Sequence, residues 1–301
     1  QSSKLDIVWR NVIIFAYLHL AAVYGLYLFV FKTLWLTSFY VCALIFCSGL
    51  GITAGAHRLW AHKSYKARLP LQILLLIFNT IALQDAAIHW VRDHRLHHKY
   101  SDTNADPYNA KRGFFFSHIG WLLVRKHPDV KAKGKTIDMS DLQADPLLTF
   151  QQRYYFLLAP LACFIVPPYI ATMWGETLLN AFFTCAIFRY VYTLNGTWLV
   201  NSAAHMWGNK PYDKHIKPVE NKIVSWIVFG EGFHNFHHAF PWDYKTGELG
   251  GYSLNLTKLF IDIMAAVGWA YDLKSVSDDL IQKRVQRTGD GKIKLSKEKQ
   301  D

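Results

Sequence analysis

Four stretches of the chain lack the regular polar interruptions of a soluble amphipathic helix: Val12–Phe31, Leu34–Ala56, Tyr154–Trp174 and Leu178–Val200. Each reaches the roughly 20 mostly apolar residues needed to cross the hydrocarbon core of a bilayer. Only Lys32 and Thr33 separate the first pair, and only Gly175, Glu176 and Thr177 the second, so the pattern predicts two tight helical hairpins. Pro160, Pro167 and Pro168 interrupt the third stretch, which a membrane helix tolerates when neighbours satisfy the carbonyls that proline frees. A fifth apolar stretch, Leu69–Ile88, is weakened by Gln72, Asn79, Gln84 and Asp85. It reads as a helix buried against the cytosolic part or lying in the interface.

Charge supports that choice. Of the 33 Lys and Arg, all but two (Lys32 and Arg189) lie in the N-terminal residues, the loop 58–153 and the C-terminal third. The positive-inside rule makes those three regions cytosolic. A crossing at Leu69–Ile88 would move half of that charge to the far side. The expected fold is therefore an all-α integral membrane protein with four transmembrane helices in two hairpins. Residues 57–153 and 201–301 form a cytosolic helical cap, and residues 1–301 make one membrane domain. The tail from Asp278 onward reads as a solvated helix and a frayed end.

Composition narrows the class. The 301 residues are 51% hydrophobic and only 18% charged, against about 25% charged in a soluble domain. Disordered chains, coiled coils and small disulfide scaffolds are excluded. Cys42, Cys47, Cys163 and Cys185 sit inside apolar runs and read as buried reduced thiols. The net charge of +11 points to a membrane surface or an anionic ligand, with no nucleic-acid module in view.

The 14 histidines carry the chemistry. Three clusters stand out: His57-Arg-Leu-Trp-Ala-His62, His94-Arg-Leu-His97-His98 and His234-Asn-Phe-His237-His238. The last two share the spacing His-x-x-His-His, which puts three rings on one helical face. His57 and His62 are five apart, roughly 140° around an ideal α-helix, so they reach one centre only if the helix ends or distorts between them. Imidazole suits iron, zinc, copper and nickel, and eight clustered rings exceed what one ion can use. The reading is two metals. His205 is a candidate ninth ligand, with Asn201 one turn before it as a polar contact through water. His19 reads as a packed, hydrogen-bonded residue, and His89, His118, His127 and His215 receive no role.

At these residues the sequence resembles a membrane acyl-CoA desaturase of the stearoyl-CoA type, over nearly the whole chain from Trp9 to Gly291. The matching segments include Gly51-Ile-Thr-Ala-Gly-Ala-His57, Arg92-Asp-His94, Asn201-Ser-Ala-Ala-His205 and Gly230-Glu-Gly-Phe-His234. The flavour is that of insect members, and Lys217-Pro-Val-Glu220 resembles a tetrapeptide of their Δ9 branch. The resemblance implies that His57, His62, His94, His97, His98, His205, His234, His237 and His238 bind two iron ions, with Asn201 approaching one through water. Zinc can replace the iron in overexpressed protein.

It further implies dioxygen as co-substrate, acyl-CoA as substrate, and electrons from cytochrome b5 and its NADH-dependent reductase. The expected location is the endoplasmic reticulum membrane, in contact with lipid, with both termini cytosolic. Substrate head-group contacts are expected from Asn11, Arg92, Asp93, Arg125, Lys126 and Trp198. Gln84, Trp90 and Thr197 are expected to bend the acyl tunnel, and Ile45 and Gly49 to mark its closed end. Neither of those two caps the tunnel with a large aromatic, so C18 and longer chains are expected to fit. Asp85 stands where vertebrate relatives carry Asn, and a carboxylate there would repel CoA unless paired. The expected reaction is a cis double bond at C9 of palmitoyl or stearoyl chains. A Δ11 desaturase, a related di-iron hydroxylase and a membrane metal carrier are the alternatives.

Overall fold

The computed structural model describes residues 6–292, and those residues are mostly helical. The membrane-facing part begins with α1 (Trp9–Phe31) and α2 (Trp35–Ala61). After a short strand, β1 (Lys66–Ala67), come α3 (Leu69–Ala82) and α4 (Ala87–Tyr100). Then follow α5 (Pro146–Thr172) and a continuous helix over residues 178–201, α6. Three of these helices, α1, α2 and α5, are long and apolar enough to cross a membrane. Their exposed side chains are largely apolar: Ile13, Leu20 and Val23 on α1, Phe39 on α2 and Phe156 on α5.

The fifth apolar stretch does not continue straight. It breaks after Ala82, and α4 leaves α3 at 84°. Leu83 (φ +49°) and Asp85 (φ +78°) occupy the left-handed region that ends the first helix. At about 1.5 Å per residue, the 14 residues of α3 fall short of a bilayer.

The two short hairpin connections meet. Glu176 accepts a hydrogen bond from the Leu34 backbone N–H at 2.9 Å, and the Trp174 indole donates to Thr37 at 3.0 Å. Both turns therefore lie at one end of the bundle, and the histidines lie at the other. Helix α5 starts where Asp145 caps it, accepting from Leu147 N–H at 2.8 Å, with Pro146 at the first helical position.

A buried arginine ties the bundle together. Pro167 and Pro168 have no N–H, so the carbonyl of Cys163 loses its donors four and five residues on. Arg189 of α6, wholly buried, donates Nη2 to that carbonyl at 3.0 Å. Its Nη1 reaches the carbonyl of Ile81 in the last turn of α3 at 2.8 Å, and Nε that of Cys185 at 3.1 Å. The Cys163 and Ile81 acceptors are the orphan carbonyls left by a proline pair and a helix end.

The chain after α6 carries α7 (Lys222–Ile227), α8 (His234–Ala239), α9 (Leu256–Ala266), strand β2 (Ala270–Tyr271) paired antiparallel with β1, and α10 (Asp278–Thr288). Helix α10 is not simply solvated, as its polar sequence suggests. Ile281 is buried against Tyr212, Phe236 and Phe240, so one face supports the helix that presents His234–His238. The charged residues after 292 lie outside the described residues. Cys163 and Cys185 are buried, Cys47 is half-buried and Cys42 is exposed on the apolar surface, all as free thiols.

Candidate metal centre and substrate cavity

The distortion expected between His57 and His62 is a change of winding. Residues 51–61 of α2 run as a π-helix, and His62 N–H donates to the His57 carbonyl at 3.1 Å. Winding by i→i+5 returns the chain to nearly the same face after five residues, so the two rings stack edge to face at 4.9 Å.

The nine histidines gather in two groups. His57, His62, His94, His98 and His237 form one, and His97, His205, His234 and His238 the other; within each, the facing nitrogens all lie within 4.8 Å. The Nε2 atoms of His62 and His94 approach to 2.8 Å, those of His57 and His237 to 3.0 Å, and those of His205 and His234 to 3.1 Å. Burial pushes the imidazoles of His62, His94, His98, His234, His237 and His238 well below their ordinary titration range. It takes His205 to about 3. Neutral rings with converging lone pairs are what a metal ion requires. The fit is sharpest at His97, whose Nε2 is buried with no hydrogen-bond partner among the described residues while its Nδ1 is held.

Two carboxylates hold one ring of each group. Glu231 Oε2 lies 2.8 Å from Nδ1 of His57, and Asp106 Oδ1 lies 2.9 Å from Nδ1 of His97. Burial alone would raise Glu231, but Arg58 and His57 outweigh it and hold the carboxyl at about 2. Such outer partners fix ring orientation and raise ligand basicity. For His97, burial is likewise overcome by Asp106, which raises the imidazole.

The residue after the first histidine of each cluster is an anchor. Arg58 is wholly buried and reaches Glu231 at 2.8 Å and the Tyr244 carbonyl at 2.9 Å. Arg95 donates to the carbonyls of Trp60 (2.9 Å) and Ala61 (3.3 Å), the orphan C-terminal groups of α2, and grips Asp141 at 2.7 Å. Asn235 accepts from Tyr212 N–H at 2.9 Å and donates to the Pro218 carbonyl at 2.9 Å.

Two cavities meet beside the histidines. The outer one, about 280 Å³, runs from Phe15, Asp85, Asp93 and Lys126 inward. The inner one, about 60 Å³, lies between Ile45, Gly49 and Ile52 of α2 and Tyr192 and Gly196 of α6. They share Trp90, His94, Thr197 and Asn201. Trp90 stacks on His94 with centroids 5.0 Å apart. The polar-lined outer cavity and the more apolar inner one thus adjoin at His94, a histidine of the first group.

A family model for fatty acid desaturases matches residues 33–245. The chain belongs to the fatty acid desaturase family. It is 60% identical to the Acyl-CoA Delta-9 desaturase of Acheta domesticus over 96% of this chain and 80% of that protein. It is 59% identical to the Acyl-CoA Delta(11) desaturase of Trichoplusia ni (96% and 82%) and 54% identical to the Stearoyl-CoA desaturase of Homo sapiens (97% and 81%). The desaturase is thus an oxidoreductase by family.

The desaturase places the expected substrate contacts unequally. Asp93, Lys126 and Trp198 line the outer cavity, as do Gln84, Trp90 and Thr197. Gln84 donates to the Thr193 carbonyl at 3.4 Å. Asn11 is spent on the Leu122 carbonyl at 2.7 Å, Arg92 on Asp93 at 3.0 Å, and the exposed Arg125 on Asp6 at 2.7 Å. None of those three lines either of the two cavities. Asp85 is paired, with His89 Nδ1 at 3.0 Å, so its charge does not face the cavity alone. His118 bridges Ser202 and Asn195, and His19 is hydrogen-bonded to Asn195 and the Phe15 carbonyl.

The room expected over Gly49 is taken. The ring of Phe229, from the loop after α7, lies against that glycine. Sequence reasoning passed over Phe229 along with Glu231, Asp106 and the three anchors. The anchors alone left a signal, each being a large polar residue next to a histidine.

Proposed function

We propose that this chain is an acyl-CoA desaturase that introduces a cis double bond at C9 of palmitoyl- or stearoyl-CoA. The observation that supports this reading is that the two cavities share Trp90, His94, Thr197 and Asn201, so a saturated chain entering past Lys126 would pass His94 where they adjoin. In this reading four helices (α1, α2, α5 and α6) cross the endoplasmic reticulum membrane, with both termini cytosolic. His57, His62, His94, His98 and His237 hold one iron, and His97, His205, His234 and His238 the second, with Asn201 contacting one through water. When bound, the iron pair supplies the activation of dioxygen needed to take hydrogen from an unactivated alkyl chain, with electrons from cytochrome b5 and its NADH-dependent reductase.

The protein's own share is positional. Lys126 at the mouth, with Arg92 and Arg125 nearby, meets the anionic head group, while Asp93 pairs with Lys126 and Arg92 and orients them. Gln84, Trp90 and Thr197 fix the bend and so the carbon presented. Apolar walls exclude water that would waste oxidant. The Lys217-Pro-Val-Glu220 segment favours C9 over C11.

Expression in yeast lacking its own desaturase tests this, with His234→Ala as the inactive control. Monounsaturated C16 and C18 acids at C9, absent from the control, are the expected result. A bond at C11 or C12 would overturn the regiochemistry, and a hydroxylated product would overturn the reaction. Iron-loaded membrane protein without any product would leave a metal carrier.

A further inference from the structure

We infer that Phe229 is the chain-length gauge of the inner cavity, a specificity-determining residue supplied by the loop after α7; this rests on the acyl-chain reading above. Phe229 sits at φ +59°, in the left-handed region that side chains other than glycine enter at a cost, and Gly230 follows at φ +115°. The posture is held from both sides. Gly230 N–H donates to the Ser225 carbonyl at 2.8 Å, and Thr257 N–H donates to the Phe229 carbonyl at 3.0 Å. Thr257 in turn shares a hydroxyl hydrogen bond of 2.8 Å with Thr53 of α2.

What this backbone achieves is the aim of one ring. A Cβ built on Gly49 would lie 2.2 Å from Phe229 Cε2 and 2.7 Å from Cδ2, so the ring rests on the glycine itself. Phe46 braces it edge-on at 5.4 Å. The preceding residue does the same on the opposite wall, because a Cβ on Gly196 of α6 would lie 2.9 Å from Val228 Cγ1. Two consecutive residues of one loop thus wedge between α2 and α6, each seated on a glycine. Both residues line the inner cavity together with His57 and His94.

Packing alone does not require this arrangement. The Phe229 ring is only half-buried and borders empty space, while strain at a non-glycine residue persists where the surroundings over-determine it, commonly at ligand clamps. The occupant that fits the apolar end is the methyl terminus of a saturated chain. Phe229 then limits how many methylenes pass beyond the reacting carbon.

Phe229→Gly is the test variant, because glycine accepts the same φ and only the ring is lost. Wild type, Phe229→Gly and Phe229→Trp are given C14 to C20 acyl-CoA, and double bonds are located by mass spectrometry. The expected result is an unchanged bond position, with the ratio of C20 to C16 product rising about tenfold in Phe229→Gly and falling in Phe229→Trp. Gly49→Ala, which unseats the ring, should also alter the ratio. An unchanged chain-length spectrum in Phe229→Gly, at any overall rate, overturns the gauge. If that variant yields no folded protein, Phe229→Leu replaces it, and the ratio must rise there too. A wild-type chain that makes no unsaturated acid overturns the underlying reading instead.

Discussion

Glu231 joins two neighbouring residues, with Oε2 at 2.8 Å from Nδ1 of His57 and Oε1 at 2.8 Å from Nη2 of Arg58. One carboxylate therefore orients a metal-facing ring and neutralises the buried arginine beside it. Glu231→Gln keeps the shape but loses the charge. It is expected to weaken metal retention by about 10- to 100-fold at the His57 group, lowering metal from two ions per chain toward one. Asp106→Asn is expected to do the same at the His97 group. Elemental analysis after dialysis against a mild chelator measures both, and two ions retained in either variant would refute the assignment.

Arg189 replaces N–H donors that the backbone cannot supply. Its removal leaves the carbonyls of Cys163 and Ile81 buried and unpaired, each costing about 1–3 kcal/mol. Arg189→Met is therefore expected to lower stability in detergent by about 3 kcal/mol or more. Arg189→Lys should recover little, since one ammonium cannot reproduce the fork that reaches three carbonyls. Thermal unfolding followed by tryptophan emission reports this, and a melting temperature within a degree of wild type would contradict it.

Glu220 predicts a pH dependence. Its Oε1 accepts from Phe236 N–H at 2.7 Å, but Oε2 is buried without a partner among the described residues. Burial pushes the carboxyl up to about 8, whereas the unfolded chain releases its proton near 4.3. The folded state therefore holds the proton that the unfolded state has lost, and stability falls as pH rises between those values. Glu220→Gln removes that slope. It should match wild type near pH 4.5 and exceed it by on the order of 4 kcal/mol near pH 8. Parallel curves at both pH values would show that Glu220 is ionised in the fold.

The apolar stretches were readable from their unbroken length, and the His-x-x-His-His spacings because they follow the 3.6-residue period. His57 and His62 were readable as a cluster that needs a distorted helix, but the form of the distortion was not, since five residues come near one face only in the π winding of residues 51–61. Leu69–Ile88 was recognisable as an odd span, yet its 84° break depends on left-handed backbone at Leu83 and Asp85, where neither residue is a glycine that would announce it. Asp106 and Glu231 lie 9 and 174 positions from the histidines they hold, so no local spacing marks them. Gly49 was legible as a gap, but not the ring that fills it, which arrives from 180 residues further along the chain.

Arg189 also carries a consequence for biosynthesis. Its backbone acceptors, Ile81, Cys163 and Cys185, all precede it in the chain. When the ribosome extrudes the charge, every group that will receive it has already been made. The cation can thus enter a prepared socket, and the docking of α6 becomes a checkpoint on the helices before it. A nascent chain whose proline kink or α3 end is malformed would offer no such socket, and its α6 would be left carrying an unpaired charge that quality control can detect.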